Sequence, residues 1–137
     1  MDNETVRVFP VADHPEALWL QWDADVNADH VAPAFRRLTA ALDEATIPVN
    51  VLVDLRQNPA LPLTITIQET MTGPFLHRMM GQWLVIGTNW RAQVVANVIT
   101  KTGIRKNIHW FETEEEALTF LTEVEDGMAN PAQVAAA

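Results

Sequence analysis

The side chains that most often bind metals or act as nucleophiles are few and widely spaced in this 137-residue chain. It has no cysteine, which excludes disulfides, thiolate zinc sites and cysteine nucleophiles. Its histidines are His14, His30, His77 and His109, and no two are three or four residues apart. Asp54 follows an apolar run without a serine or histidine in a catalytic motif, so we expect it to cap a loop. The sequence therefore predicts no catalytic centre, no metal site and no cofactor.

Charge is divided unevenly along the chain, whose net formal charge is −9. Residues 1–70 hold 11 acidic and 4 basic side chains, and residues 112–137 hold 7 acidic and none basic. The segment between them, 71–111, has no acidic side chain and five basic ones: Arg78, Arg91, Lys101, Arg105 and Lys106. These cations could form a surface for an anionic ligand or an acidic partner. The alternative is that they pair with the chain's own acidic helices. The acidic balance argues against general nucleic-acid binding.

Two further groups of residues could contribute to binding. The loop Gly87–Arg91 joins a predicted strand to a predicted helix, where backbone amides and Arg91 could hold a carboxylate or phosphate. An ordinary strand-to-helix connection is the alternative, because one glycine is not a phosphate-loop pattern. Among the tryptophans, Trp19 and Trp90 fit a subunit interface or the mouth of an apolar pocket. The remaining three, Trp22, Trp83 and Trp110, fit buried positions on strands.

Strands and helices must alternate to position these residues. Two-residue and helical periodicities predict strands at 5–10, 17–22, 49–55, 83–87 and 108–111, and helices at 30–45, 90–100 and after Thr113. Leu63, Ile65 and Ile67 could alternate as a strand, but the position of this segment in the fold favours a helix at about 63–71. The expected fold is an α/β domain over residues 1–124, with a mixed sheet of about five strands, an N-terminal antiparallel hairpin and about four helices. Residues 125–137 have no periodicity and predict a tail.

Local details of these elements are also predicted. The hairpin loop should be longer than two residues. Asp29 is favoured over Asn27 as the cap of the first helix, since Pro33 must lie near the helix start. Thr88 or Asn89 should cap the third helix, with Val94, Val95 and Val98 facing inward. The run Thr113–Glu116 fits a capping box at the start of the last helix.

Membrane and export signals are not found in the sequence. No apolar run approaches the roughly 20 residues that cross a bilayer, and residues 1–8 do not resemble a signal peptide. We therefore expect a cytoplasmic protein.

The order of elements resembles the STAS domain, named for sulfate transporters and anti-sigma-factor antagonists. It is similar in particular to small bacterial STAS-like proteins grouped with lipid-binding CRAL-TRIO-type folds. The resemblance is carried by VNVLVDL at 49–55, WLVIG at 83–87, IHWF at 108–111 and EEALTFL at 115–121, and it spans about residues 5–124. It implies an α/β fold with a regulatory or ligand-carrying role.

One part of the family pattern is missing. Anti-sigma antagonists carry a phosphorylated serine in the loop that enters the second helix, and the corresponding loop here, 56–62, has neither serine nor threonine. Thr64 and Thr66 lie just beyond the loop but are not placed by the motif. The phosphorylation switch is therefore not carried over.

The leading functional hypothesis is a non-enzymatic regulatory or protein-interaction module that forms a homodimer. The alternative is a carrier or sensor of a small apolar or amphipathic anion, such as a lipid-like molecule. Its apolar part would lie near Met79, Met80 and Trp83, and Arg91 or Lys101 would hold the head group.

Overall fold

A computed structural model describes residues 4–101 and 107–127. The strands are β1 (Val6–Val11), β2 (His14–Trp22), β3 (Val49–Asp54), β4 (Met80–Ile86) and β5 (Ile108–Phe111). The helices are α1 (Val31–Glu44), α2 (Leu63–Thr72), α3 (Trp90–Thr100) and α4 (Glu114–Glu125). Short 3-10 turns at Ala28–His30 and Pro74–Leu76 precede α1 and follow α2. Within these ranges, no helix is both long and apolar enough to cross a bilayer.

The five strands form one mixed sheet whose spatial order equals the chain order. β1 runs antiparallel to β2, and all other neighbours are parallel. This confirms the predicted α/β fold of five strands, an N-terminal hairpin and four helices. Each parallel connection moves one strand further in the same direction, and because such crossovers are right-handed, α1, α2 and α3 lie on one face. α4 follows the last strand and packs on the opposite face.

The face under α1, α2 and α3 holds the larger apolar core. α1 buries its predicted stripe, which consists of Val31, Phe35, Leu38 and Leu42. Within β3, Val51 and Val53 belong to this core, whereas Leu52 belongs to the core under α4. The unbroken apolar run of β3 is therefore explained by burial on both faces.

A single helix, α4, covers the other face of the sheet. Its start is the predicted capping box: Thr113 Oγ1 accepts from the Glu116 amide, and the Glu116 carboxylate accepts from the Thr113 amide, both at 3.2 Å. Ala117 and Leu121 pack against apolar side chains of β3 and β4. The capping box that follows β5 thus begins the helix that covers this face of the sheet.

The hairpin prediction is wrong in the length of its loop. Val11 pairs with His14, so the turn has only two residues, Ala12 and Asp13. Asp13 adopts a φ of 66°, a left-handed conformation that aspartate tolerates better than most residues. Pro15 lies inside β2 but before Ala17–Gln21, the stretch that pairs with β3, so its missing amide does not interrupt that ladder.

The predicted cap of the first helix is also wrong. Asn27 Oδ1 accepts from the Asp29 amide at 2.9 Å and begins a 3-10 turn, Ala28–His30. α1 then starts at Val31 without a side-chain cap. The sequence did not indicate this extra turn, which takes up the residues expected in the first helical turn.

The inward face of α3 differs from the prediction. Its buried residues are Ala92, Val95 and Ile99, whereas Val98 is 38% exposed. The valine stripe and the buried stripe are neighbours that share Val95, so the apolar pattern did not determine which of the two faces the sheet. As a result, a short alanine side chain occupies a position next to the sheet.

Candidate ligand-binding cavity

An apolar cavity of about 80 Å³ lies between the sheet and helices α2 and α3. Its floor includes Leu20, Val53 and Val85 from three neighbouring strands. These side chains share a face because alternate residues of a strand point the same way and the three positions are in register. One water needs only about 10–15 Å³, so the cavity has room for a small molecular group.

The cavity exists because the two helices above it present short side chains. α2 buries Thr66 and Thr70, and α3 contributes Ala92 and Ala96 to the lining. The strands opposite carry larger side chains, including Trp83, which hold the sheet and the helices apart. The short side chains of the helices then leave space between the two layers. Thr70 donates its hydroxyl to the Thr66 carbonyl oxygen at 2.7 Å, which satisfies it within the helix.

Three buried polar atoms of residues that line the cavity have no hydrogen-bond partner among the described residues: Trp22 Nε1, Thr66 Oγ1 and Trp83 Nε1. Their residues are 2%, 4% and 6% exposed. Most buried polar groups in proteins find a partner, so an unpaired group requires an explanation. The ring of Trp22 packs edge-on against Phe35, and the ring of Trp83 packs against Phe75, each with centroids 6.2 Å apart. Both indoles are thus held in place by aromatic neighbours.

A groove of about 390 Å³ lies on the outer side of the cavity, between α3 and β5. Ala96, Ile108 and Trp110 line both the cavity and the groove. The prediction that Trp110 belongs to the buried core is wrong, since it is 42% exposed. β5 is the edge strand of the sheet in residues 4–101 and 107–127, and within these ranges no further strand lies beside Trp110. The polar groups of the groove belong to Gln93, Asn97 and Thr100.

The cations singled out from the sequence lie at both ends of the sheet. Arg91 is the second residue of α3 and Lys101 follows its end, so about 15 Å of helix separates their backbones. Arg78 is exposed just before β4, at the same end as Lys101. Arg105 and Lys106 lie outside the described residues.

Arg91 is occupied by contacts within the chain. Its guanidinium donates to the Leu61 carbonyl oxygen at 3.3 Å and stacks on the ring of Trp90 with 4.8 Å to the centroid. Trp90 is 63% exposed, in line with the prediction for it. Trp19, the other predicted interface residue, is half-buried beside the α4 core.

The loop before α3 is tied to the loop after β3. Asn89, one of the two predicted caps, accepts from the Ala92 amide at 2.9 Å and donates to the Pro59 carbonyl oxygen at 2.7 Å. Gly87 has a φ of 105°, and a Cβ there would lie 3.1 Å from the Leu55 backbone. The close approach of the two loops requires this glycine. Because the cap already uses the Ala92 amide, that group is not available to an anion.

A charged network closes the carboxyl end of β3. The Asp54 carboxylate accepts from Arg56 Nε and Nη2 at 2.9 and 2.8 Å, from the Arg56 amide at 3.0 Å and from Gln21 at 3.3 Å. Burial alone would raise the pKa of Asp54, but the hydrogen bonds from Arg56 and Gln21 outweigh it and lower the pKa below its ordinary value. Arg56 also pairs with Glu114 of α4 at 3.0 Å. Asp54 therefore has the loop-capping role that the sequence predicts, together with a partner that the sequence did not indicate.

The two threonines considered as phosphorylation sites lie in different environments. Thr64 is exposed on α2, whereas Thr66 is 4% exposed beneath the same helix. A kinase therefore has access to Thr64 only, as long as α2 stays packed.

The histidines do not gather into a metal site. Among the described residues, no three histidine, aspartate or glutamate side chains are placed to hold an ion. His14 pairs with Glu125 at 2.6 Å and His77 with Asp43 at 2.7 Å, and both pairs join distant elements of the fold. Burial lowers the pKa of His109.

Comparisons of this chain with family models, with curated proteins and with solved structures give no match. The resemblance to the STAS domain therefore stays an expectation from the sequence.

Proposed function

We propose that this chain is a non-catalytic binding module that carries or senses a small apolar or amphipathic molecule. The observation that carries the proposal is that the cavity and the groove are adjacent and share Ala96, Ile108 and Trp110 in their lining. An apolar part of the ligand would occupy the cavity, and a polar end would reach Gln93 and Asn97 in the groove.

The two volumes favour a ligand that uses both compartments. A cavity of about 150 Å³ holds benzene, and the one here is about 80 Å³. The groove, at about 390 Å³, falls in the range of about 300–1,000 Å³ typical of small-molecule sites. Apolar area removed from water contributes about 25 cal/mol per Å², so the apolar cavity supplies affinity and the groove supplies orientation.

The basic segment 71–111 suggested one version of this proposal, in which the polar end of the ligand carries a negative charge. Lys101 directly follows Thr100 of the groove and is exposed. Arg91 lines neither compartment, since its guanidinium lies between Trp90 and the Leu61 carbonyl. Lys101 is therefore the described cation best placed to meet an anionic end.

The proposal is tested with a larger side chain at the wall that the cavity and the groove share. Native mass spectrometry of the purified protein should show a small-molecule adduct, and 1-anilinonaphthalene-8-sulfonate should bind with a stoichiometry of one. Ala96→Leu adds bulk at the wall shared by the cavity and the groove and should weaken dye binding at least about tenfold, since the larger side chain takes up the space that the dye would occupy. Ala40→Leu, at an exposed position on α1, is the matched control and should bind the dye as the wild type does. Equal binding by both variants would contradict the proposal.

A protein-interaction module is the second candidate, favoured by the exposed apolar side chains around α3 and β5. Trp90 is 63% exposed, Trp110 42% and Val98 38%, and aromatic residues are enriched at interfaces. A second copy of the chain is the proposed partner. Sedimentation velocity should show a dimer that Trp90→Ser together with Val98→Ser converts to monomer. A wild-type protein that stays monomeric at about 100 μM would contradict the homodimer.

The STAS-like assignment, a regulatory role and a cytoplasmic location also stay proposals. The order of strands and helices supports the first, because it is the order that the resemblance implies.

A further inference from the structure

The outer edge of β5 presents a row of backbone hydrogen-bonding groups. On the inner side of this strand, the carbonyl oxygen of Asn107 accepts from the Trp83 amide of β4 at 2.9 Å. In a parallel ladder the amide and carbonyl of one residue point to the same side, and this side alternates along the strand. The amides and carbonyls of Ile108 and Trp110 therefore point away from β4. Within residues 4–101 and 107–127, the sheet has no strand on that side.

The two edges of the sheet differ in how well they could accept a further strand. β1, at the other edge, contains Pro10, which has no amide, and its ladder with β2 is irregular between Pro10 and Val11. Proline and irregularities of this kind protect edge strands from pairing with other chains. β5 contains no proline, and its ladder with β4 is regular over all four residues. Of the two edges, β5 is therefore the one suited to pair with another chain.

The side chains of β5 are also suited to an interface. Ile108 and Trp110 lie on the face of α3, where both line the groove, and Trp110 is 42% exposed. On the face of α4, the ring of His109 packs on Phe120 with centroids 4.7 Å apart, and its Nε2 lies 2.7 Å from Gln82 Oε1. The His109 ring is thus held by contacts within its own chain. A strand added beside β5 would cover Trp110, which β4 does not cover.

The charges at the two ends of β5 indicate what kind of strand would pair with it. Lys101 is exposed at the end of α3, on the side of the sheet where β5 starts, and residues 71–111 contain no acidic side chain. β5 is followed at once by Glu112, which is exposed, and three more glutamates occupy 114–116. An antiparallel copy of β5 brings the start of one strand beside the end of the other, so opposite charges meet at both ends. A parallel copy would bring like charges together, and a uniformly acidic peptide would meet Glu112.

We infer that β5 pairs with β5 of a second copy in antiparallel register, with Ile108 opposite Trp110 of the other copy and His109 on the two-fold axis. This inference rests on the homodimer that is the second candidate function. Each of the two Ile108–Trp110 pairs exchanges two backbone hydrogen bonds, so four bonds join the five-stranded sheets into one. Pairs of an aromatic and a β-branched side chain stabilise neighbouring strands. Lys101 of each copy lies at the same end as Glu112 of the other.

The pairing also determines where the helices lie. The two-fold axis is perpendicular to the sheet, so the α3 helices of both copies lie on the same face. They are on opposite sides of the paired Ile108 and Trp110 side chains. Gln93 and Asn97, which line the groove on α3, then face the other copy. The interface therefore includes one side of α3 as well as the edge of β5.

Cysteine crosslinking tests the register, and it is specific because the chain has no cysteine of its own. His109→Cys places two thiols opposite each other across the axis. The Cα atoms of such a pair are about 4.5 Å apart, which a disulfide can span. Phe111→Cys is the matched control on the same face of the same strand, since its two copies would be about 13 Å apart. Under mild oxidation the first variant should form a covalent dimer, and the second should form at least about tenfold less.

Charge exchange tests the ends of the interface. Lys101→Glu and Glu112→Lys each replace two attractions between the copies with two repulsions, so either variant alone should dimerise at least about tenfold more weakly at low salt. An equimolar mixture restores both attractions in a mixed dimer and should recover the wild-type affinity. Arg36→Glu and Glu44→Lys, exposed on α1, make the same changes of charge and should dimerise as the wild type does. Sedimentation velocity measures the affinities, and native mass spectrometry with one variant labelled with ¹⁵N identifies the mixed dimer.

The outcomes separate this inference from the proposed function. A wild-type protein that is monomeric at about 100 μM overturns both the β5 pairing and the homodimer, and the ligand-binding proposal then depends on its own dye test. A wild-type dimer in which His109→Cys and Phe111→Cys crosslink equally, or not at all, overturns the β5 pairing alone. The same holds if the mixture of Lys101→Glu and Glu112→Lys dimerises no better than either variant. Recovery in the mixture also shows that both variants are folded.

Discussion

The carboxyl end of β3 and the wall of the cavity bury polar groups to a similar extent but partner them differently. Asp54 is 5% exposed and accepts hydrogen bonds from the backbone and side chain of Arg56 and from Gln21. Thr66 and Trp83 are 4% and 6% exposed, and their polar side-chain atoms have no partner in the described part of the chain. The charged Asp54 carboxylate is thus paired, while the neutral donors of Thr66 and Trp83 are not paired within the described residues.

This difference separates a structural role from a binding role. A network that satisfies a buried carboxylate joins β2, β3 and α4, and it leaves little capacity for a ligand. Unpaired buried donors lower stability, and the surface that the cavity offers to a ligand is apolar. Asp54 and Arg56 therefore hold the fold, whereas the cavity wall is the part of the molecule to which binding is proposed.

The largest effect should come from breaking the paired region with Arg56→Met. The variant keeps an alkyl chain but leaves the Asp54 carboxylate buried with fewer donors. We expect the free energy of unfolding to fall by about 2 kcal/mol, less than the 3–5 kcal/mol of a fully buried pair because the Arg56 side chain is 44% exposed. Urea unfolding followed by tryptophan fluorescence measures it.

The control for that variant is Arg36→Met, at an exposed arginine on α1, which should change the unfolding free energy by less than about 0.5 kcal/mol. Adding Asp54→Asn to Arg56→Met should recover part of the loss, since it removes the buried charge. Equal stability of the Arg36 and Arg56 variants would mean that the network does not hold β3.

A smaller effect should appear on acidification. Because the pKa of Asp54 is lowered in the folded protein, the unfolded chain binds the extra proton first, and stability falls as the pH drops. The contribution is fully present above the ordinary aspartate value near 4 and is lost as the pH falls through the lowered pKa. Urea midpoints of the wild type and Asp54→Asn, measured from pH 7 to pH 3, should converge at the acid end. Parallel curves would show that Asp54 does not titrate in this window.

The paired region shows what sequence patterns can and cannot predict. Local signals predicted the strand before Asp54 and the capping box at Thr113, because both depend on neighbouring residues. The pair of Arg56 with Glu114 was not predicted, since it exists only because α4 crosses to the opposite face and begins beside β3. Such contacts follow from topology and not from periodicity.

The lining of the cavity was predicted only in part, since Trp83 belongs to it but Met79 and Met80 do not. A helix was predicted at about 63–71, but the apolar residues of LTITIQET alternate at the strand period and do not mark an inward helical face, so the burial of Thr66 and Thr70 was not predicted. Their spacing of four then places both on one helical face. The exposure of Trp110 likewise depends on β5 being the edge of the sheet, which composition does not indicate.

The smallest effect sharpens the comparison inside the cavity itself, between two threonines on one face of α2. Without ligand, Thr66→Val removes an unpaired buried hydroxyl and should raise the free energy of unfolding by up to about 1 kcal/mol. Thr70→Val breaks a bond to the Thr66 carbonyl and should lower it by about 1 kcal/mol. Shape and hydropathy change identically in the two variants, so opposite signs can come only from the hydrogen bonds. Chemical denaturation of both proteins decides it, and a loss of stability in Thr66→Val would mean that its hydroxyl already has a partner in the unliganded protein.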